Sequence, residues 1–213
     1  MVTTTPNENL PELLRRRLAQ PLPGIAACTS FSPELSYGRH HGPPAHDARQ
    51  AAVLLLLYPG RNSWHLPLTV RPTAMSSHGG QVSFPGGEIE LGETFEQAAL
   101  RECCEELGEA GSEVQLLGSL SPLYVFASNF QVTPCVAWSP TRPHFEPNSD
   151  EVANLLEPSI VDLLNPVSRG SHLIDRRGIR FQTPHIAYDD YKIWGATSVI
   201  LLEFLQLVSE LAR

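Results

Sequence analysis

Two kinds of hydrophobic spacing alternate along this chain and divide it into strands and helices. The run Ala51 to Tyr58 is continuous and apolar, the pattern of a strand covered on both faces. Pro59-Gly60-Arg61-Asn62 turns it, and Trp64 to Val70 reads as the returning strand. Glu113 to Leu117, Leu123 to Ala127 and Val132 to Trp138 give three further strands separated by turn residues, which predicts a mixed sheet. Helical spacing fills most of the remainder. Leu10, Leu13, Leu14 and Leu18 share one face of a helix from an Asn9 cap to Gln20. Leu100, Cys103, Cys104 and Leu107 recur at i, i+3, i+4 and i+7, between a capping box at Thr94-Phe95-Glu96-Gln97 and a stop at Gly108. Ser159 caps a helical turn through Leu164, Ile179 to Phe181 with Ile186 to Tyr188 suggests a late hairpin, and Thr197 to Leu211 predicts a final amphipathic helix.

At 213 residues and 42% hydrophobic content, the chain is long enough for one well-buried core and short for two full domains. Residues 1–50 read as an N-terminal helix and an irregular segment packing on the core, and residues 51–213 as the main domain. The stretch Pro21 to His46 is rich in Pro, Gly, Ser and His, and nothing orders His40, His41 and His46 into a metal site. There is no apolar run of roughly 18 residues, and the start, Met1 to Pro6, lacks the charged and then apolar region of a secretion signal. The expectation is a soluble cytoplasmic protein with no membrane partner. Cys28, Cys103, Cys104 and Cys135 show no Cys-x-x-Cys spacing and read as buried thiols in a reducing compartment. A net charge of −8 argues against a nucleic-acid polymer as partner, and Arg15-Arg16-Arg17 reads as a solvated helix face. Prolines 140, 143 and 147 mark an exposed loop leading to Asp150 and Glu151.

The helix after Thr94 carries the chemistry. Glu102, Glu105, Glu106 and Glu109 repeat the apolar spacing two residues later, about 200° around the helix, so an acidic face is expected opposite the apolar one. Like charges so placed destabilise a helix by about 0.2 to 0.5 kcal/mol per pair unless a positive charge sits among them, and a hard divalent cation suits carboxylates. Ahead of the helix, Phe84-Pro85-Gly86-Gly87 lets backbone approach a ligand closely and leaves carbonyl oxygens free for a metal. Arg101 is expected to point away from the acid face and to pair with Glu93, pinning the loop.

Taken together, Gly87, five residues, Glu93, seven residues, Arg101-Glu102, the apolar Cys103, Glu105-Glu106 and Gly108 resemble the Nudix box, with Glu109 standing where an apolar residue is usual. Leu68-Thr69-Val70-Arg71, Gly80 and Phe84 to Gly87 are similar to the upstream signature of the coenzyme A diphosphatase branch, with Pro67, Pro72 and Ser76 departing from it. Ile193-Trp194-Gly195-Ala196-Thr197 also looks like that branch. The resemblance implies an α/β Nudix fold, a mixed sheet sandwiched between helices, and metal-dependent hydrolysis of a diphosphate linkage with Mg²⁺ or Mn²⁺. It implies Glu102, Glu105, Glu106 and the Gly87 carbonyl as metal ligands, with Glu151 as general base. Arg71, Gly80, Phe84 and Gly86 would bind substrate, and Glu93, Arg101 and Gly108 would hold the motif together. His65, His78, Tyr124, Phe126 and Trp194 rank below these as packing or hydrogen-bonded residues. The expected substrate is coenzyme A or a thioester, giving 3′,5′-ADP and a phosphopantetheine, in a monomer or homodimer. ADP-ribose, NADH or another dinucleotide is the alternative, and a catalytically silent ligand-binding domain is a third reading.

Overall fold

The computed structural model describes residues 9–24, 31, 43–73, 79–108, 113–176 and 178–212. Cys28, His40, His41, Ser76, His78 and Glu109 lie outside them. Strand β1 (Arg49–Pro59) is the axis of a six-stranded sheet. It pairs antiparallel with β2 (Trp64–His65) and β5 (Gly86–Glu88), and parallel with β8 (Phe130–Trp138). β8 in turn carries β6 (Gln115–Ser119) and β7 (Leu123–Val125), both antiparallel. The unbroken apolar run of β1 follows from cover on both faces. Ala52, Leu54, Leu56 and Tyr58 pack with Ala98, Ala99, Cys103 and Leu107 of α2 (Phe95–Leu107). Leu55 and Leu57 join the larger cluster that holds Leu10, Leu14 and Leu18 of α1 (Leu10–Leu18) and Leu201, Phe204 and Leu205 of α4 (Ala196–Leu211). The result is the expected mixed sheet between helices.

Two smaller sheets flank this layer. In one, β3 (Leu68–Val70) lies between β4 (Val82–Ser83) and β9 (Asn154–Leu156). The other runs β10 (Arg169–Arg176), β11 (Ile179–Tyr188), β12 (Tyr191–Trp194). The short helix α3 (Ile160–Leu164) opens on the Ser159 capping box.

Several sequence expectations are corrected here. Trp64 to Val70 is not one strand: β2 pairs with β1, whereas β3 pairs with β4 and β9, and the break falls at Leu66-Pro67, where proline has no N–H to give a ladder. Ile179 to Tyr188 is a single strand, not a hairpin. Pro184 is accommodated because β12 has already ended, its last pair being His185 with Trp194. The final helix is amphipathic only in its second half: Thr197 to Leu201, Glu203 to Leu205, Leu207 and Val208 are buried, and Gln206 and Glu210 are exposed. Its Glu203, 2% exposed, is accommodated by three donors, the N–H groups of Gly24 and Ser121 and the Ser121 hydroxyl.

Candidate active site

Helix α2 starts where its side chains dictate. The Thr94 hydroxyl accepts from the Gln97 N–H at 3.3 Å while the Gln97 side chain accepts from the Thr94 N–H at 2.9 Å, closing the capping box. It stops at Gly108, whose φ of +80° suits glycine and whose N–H reaches Cys104 O at 2.9 Å. The faces between these limits are rotated from the expected ones. Cys104 is exposed and Glu106 is buried at 5% exposure, because the helix packs through Ala98, Ala99, Cys103, Glu106 and Leu107. Of the described cysteines, Cys103 and Cys135 are the buried ones, and burial pushes the Cys103 thiol up to about 12.

Arg101 also departs from expectation. It pairs with Glu93 as foreseen, Nε to Oε1 at 2.8 Å and Nη2 to Oε2 at 3.1 Å. Instead of pointing away from the acid face, however, its Nη1 donates to Glu102 Oε1 at 2.9 Å and Glu105 Oε2 at 3.1 Å, and Nη2 donates to the Glu88 carbonyl. The guanidinium fork is long enough to hold the loop glutamate and two helix glutamates at once. Glu93 also accepts from the Glu90 N–H at 3.0 Å, which folds the loop back on itself.

Strand β5 decides which backbone groups face the site. Leu54 N–H bonds Pro85 O at 2.9 Å and Ile89 N–H bonds Gln50 O at 3.0 Å. Antiparallel alternation then makes Ala52 and Gly87 a hydrogen-bonded pair and turns the polar groups of Gly86 away from β1. The expectation that a turn frees the Gly87 carbonyl is therefore corrected: Gly87 is committed to the ladder, and Gly86 presents its N–H to Glu106. Gly87 instead gives room, since a Cβ there would run into the Glu102 carboxylate.

Thr69 and Arg71, two residues apart at β3, share the face toward Glu106. Burial pushes Glu106 up to about 7, against the Arg71 charge, the Gly86 N–H and the Thr69 side chain, while Glu102 adds to the rise. Glu102 is also raised, first by burial, with Arg101 opposing and Glu105 and Glu151 reinforcing. Glu151 itself is exposed on the loop after β8, near enough for its charge to act on Glu102. Gly80, with φ of +74°, donates to Arg71 O at 2.9 Å and closes the turn there. Phe84 is a correction: its ring is 2% exposed in the core, so it anchors the strand and does not face a ligand. His65 is likewise structural, with Nδ1 2.9 Å from Glu157 O.

Among the described residues, no three Asp, Glu, His or Cys side chains stand close enough together to grip an ion as they are placed. The fit to a divalent cation rests on a single atom: Oε2 of Glu106 is buried without a hydrogen-bond partner. Glu102 lies against neighbouring Gly87, and the donors on offer are oxygen atoms, which suit Mg²⁺ or Mn²⁺. Sequence reasoning missed Thr69, whose signal was its two-residue spacing from Arg71. It also missed the loop contacts at the end of α2: Glu146 N–H to Leu107 O and Asn148 N–H to Glu106 O, both 2.8 Å.

Comparison with known proteins agrees with this architecture. A model of the NUDIX domain matches residues 48–165. A protein of Pectobacterium atrosepticum described as Uncharacterized Nudix hydrolase NudL is 35% identical over 170 residues, 78% of this chain and 86% of its own length. The Yersinia pestis protein of that description is 36% identical over 162 residues, covering 76% and 80%. A MutT/nudix family protein from Enterococcus faecalis, 14% identical, superposes with a TM-score of 0.51 over 95% of this chain and 74% of its own, a likeness of fold alone. The chain belongs to the Nudix hydrolase family, enzymes that hydrolyse nucleoside diphosphate derivatives.

Proposed function

We propose that this Nudix hydrolase cleaves the diphosphate linkage of coenzyme A or its thioesters, releasing 3′,5′-ADP and a phosphopantetheine. The observation that carries the reading is the meeting of two segments similar to the coenzyme A branch. The Thr197 hydroxyl, from the Ile193 to Thr197 segment, donates to Val82 O at 3.0 Å in β4, beside the Leu68 to Arg71 segment. That buried contact joins the two branch-like segments in one part of the fold, which supports a coenzyme A-type substrate.

In this reading Glu102, Glu105 and Glu106, with the backbone at Gly86, would hold Mg²⁺ or Mn²⁺. The cation supplies charge neutralisation on the phosphate oxygens and a water nucleophilic at neutral pH. The Arg71 guanidinium binds the diphosphate, and Gly80 keeps the turn beside it close. Glu151 accepts the proton of the attacking water as the new P–O bond forms, and the bridging oxygen leaves with the departing phosphate. Arg101 and Glu93 keep the glycine loop against α2. Residues 51–213 form the hydrolase domain in this reading, with the described N-terminal helix α1 packing on its core. The proposed setting is the cytoplasm, as a monomer or homodimer with a small-molecule partner. No described helix is long and apolar enough to cross a membrane.

The test incubates the protein with Mg²⁺ or Mn²⁺ and coenzyme A, acyl derivatives, ADP-ribose, NADH and diadenosine compounds, with products identified by mass. Preferred cleavage of coenzyme A compounds into 3′,5′-ADP is expected. Preference for a compound without pantetheine overturns the substrate assignment, and no cleavage of any compound favours a silent ligand-binding domain.

A further inference from the structure

A second polar cluster lies beyond the carboxylate site and has no part in the chemistry so far described. Glu157, just past β9, is gripped by Arg142 through a two-toothed contact, Nε to Oε2 at 2.8 Å and Nη2 to Oε1 at 2.7 Å. Tyr58, at the end of β1 and 1% exposed, donates its hydroxyl to the same carboxylate. The remaining Arg142 nitrogen donates to Pro143 O at 3.2 Å, and Phe145 packs edge-on against Tyr58 at 5.6 Å between ring centres.

The position of this cluster matters more than its strength. Arg142 and Glu157 stand 15 residues apart, at the two feet of a strap that contains Asn148 and Glu151. Ser139 N–H is tied to Leu57 O at 2.8 Å where the strap leaves β8, and Ala153 N–H to Val70 O at 2.8 Å where it enters β9. Between these points its N–H groups cap the last carbonyls of α2, including that of Glu106. A strap closed at its feet and bonded to the helix end has little freedom left to move either Glu151 or the final turn of α2.

We infer that Glu157, held by Arg142 and Tyr58, is a positioning residue for hydrolysis, closing the strap that carries Glu151 and caps the helix turn bearing Glu106. This rests on the roles proposed above for those two glutamates. Neither Glu157 nor Arg142 touches substrate. The clamp acts on turnover, because it sets the geometry of the reacting groups.

The experiment uses the full chain and measures kcat, KM and the Mg²⁺ concentration for half-maximal rate with coenzyme A, or with whichever compound the unaltered protein cleaves. Arg142→Gln and Glu157→Gln are expected to lower kcat about ten- to a hundredfold with KM within about twofold, and to raise the Mg²⁺ requirement. Arg142→Lys, which keeps the charge and loses the fork, should fall between. The exchange Arg142→Glu with Glu157→Arg should recover part of kcat. Folded variants with unaltered kcat and Mg²⁺ requirement overturn the inference, as does a loss confined to KM. If the glutamine variants do not fold, Arg142→Lys and Tyr58→Phe decide on the same readouts, and unaltered kcat in both is the overturning result. An unaltered protein that cleaves nothing overturns the hydrolysis reading itself. Normal turnover with indifferent clamp variants overturns the clamp alone.

Discussion

Gly86 and Gly87 are neighbours that serve different ends, and their substitution should separate stability from activity. Gly86 has φ of +155°, and a Cβ there would meet the backbone of Ala52 and Val53, which has nowhere to go. Gly86→Ala is expected to destabilise by about 1 to 3 kcal/mol, read as a lower urea midpoint at unchanged slope. At Gly87 the obstacle is the carboxylate end of Glu102, a side chain that can swing away. Gly87→Ala should leave the urea midpoint nearly in place and depress metal-dependent turnover; retained turnover would remove the Glu102 placement from the mechanism. Glu106→Gln keeps volume and removes the charge. It should preserve the fold and lower kcat about a thousandfold, roughly 4 kcal/mol of barrier. Near-normal kcat in the folded variant would take Glu106 out of the reaction. The sequence marked Glu106 as one of several acids on an outward face suited to a divalent cation. Its burial came from the packing of α2 against β1 and β5, which helical periodicity alone does not carry.

At the scale of elements, the capping boxes were legible because they are written within four residues. Thr94 and Gln97 satisfy each other's backbone partners, and Ser159 with Asp162 does the same for α3. Thr94→Ala is therefore expected to cost about 1 kcal/mol, seen as a lower denaturation midpoint, with little change if the box is redundant. The loop after β8, leading to Asp150 and Glu151, was legible as a loop from its prolines; it runs on to Ala153, after which β9 begins. Its bonds to α2 were not, since backbone N–H groups leave no mark in residue identity. The division of Trp64 to Val70 between two sheets was signalled by Pro67, but hydrophobic continuity outweighed it. In β11 the two apolar stretches expected to form a hairpin are one strand, because a locally unpaired edge tolerates Pro184 between them.

Across the whole molecule, the outer sheet holds a pH-dependent contact far from the carboxylates in sequence. His172 and His185 face each other with Nδ1 atoms 3.1 Å apart, and the His172 ring stands against Trp194. Burial, then His185 and Lys192, hold His172 below its ordinary value; burial and Lys192 do so for His185. The unfolded chain takes up these protons near about pH 6.5, the folded chain only at lower pH, so stability is full above that range and declines as pH falls through the folded values. Glu106, raised to about 7, acts in the opposite direction over the same range, so the pair shows as a difference: the urea midpoint of His172→Gln should gain on that of the unaltered protein as pH falls from about 8 to about 6. Equal slopes in both proteins would acquit the pair. The net charge of −8 was legible at once, but it says nothing of where Arg71 and Arg101 stand. By itself the sequence determined what neighbouring residues dictate: the doubly covered β1, the capped α2, the spacing of the Nudix motif and the oxygen-rich chemistry it carries. Only the tertiary structure decided that Glu106 is buried, that Gly86 and not Gly87 turns its polar groups outward, that Thr197 meets Val82, and that Glu157 closes the strap. Those outcomes depend on strand register and on contacts between residues far apart in the chain, and periodicity along the chain records only which faces are apolar.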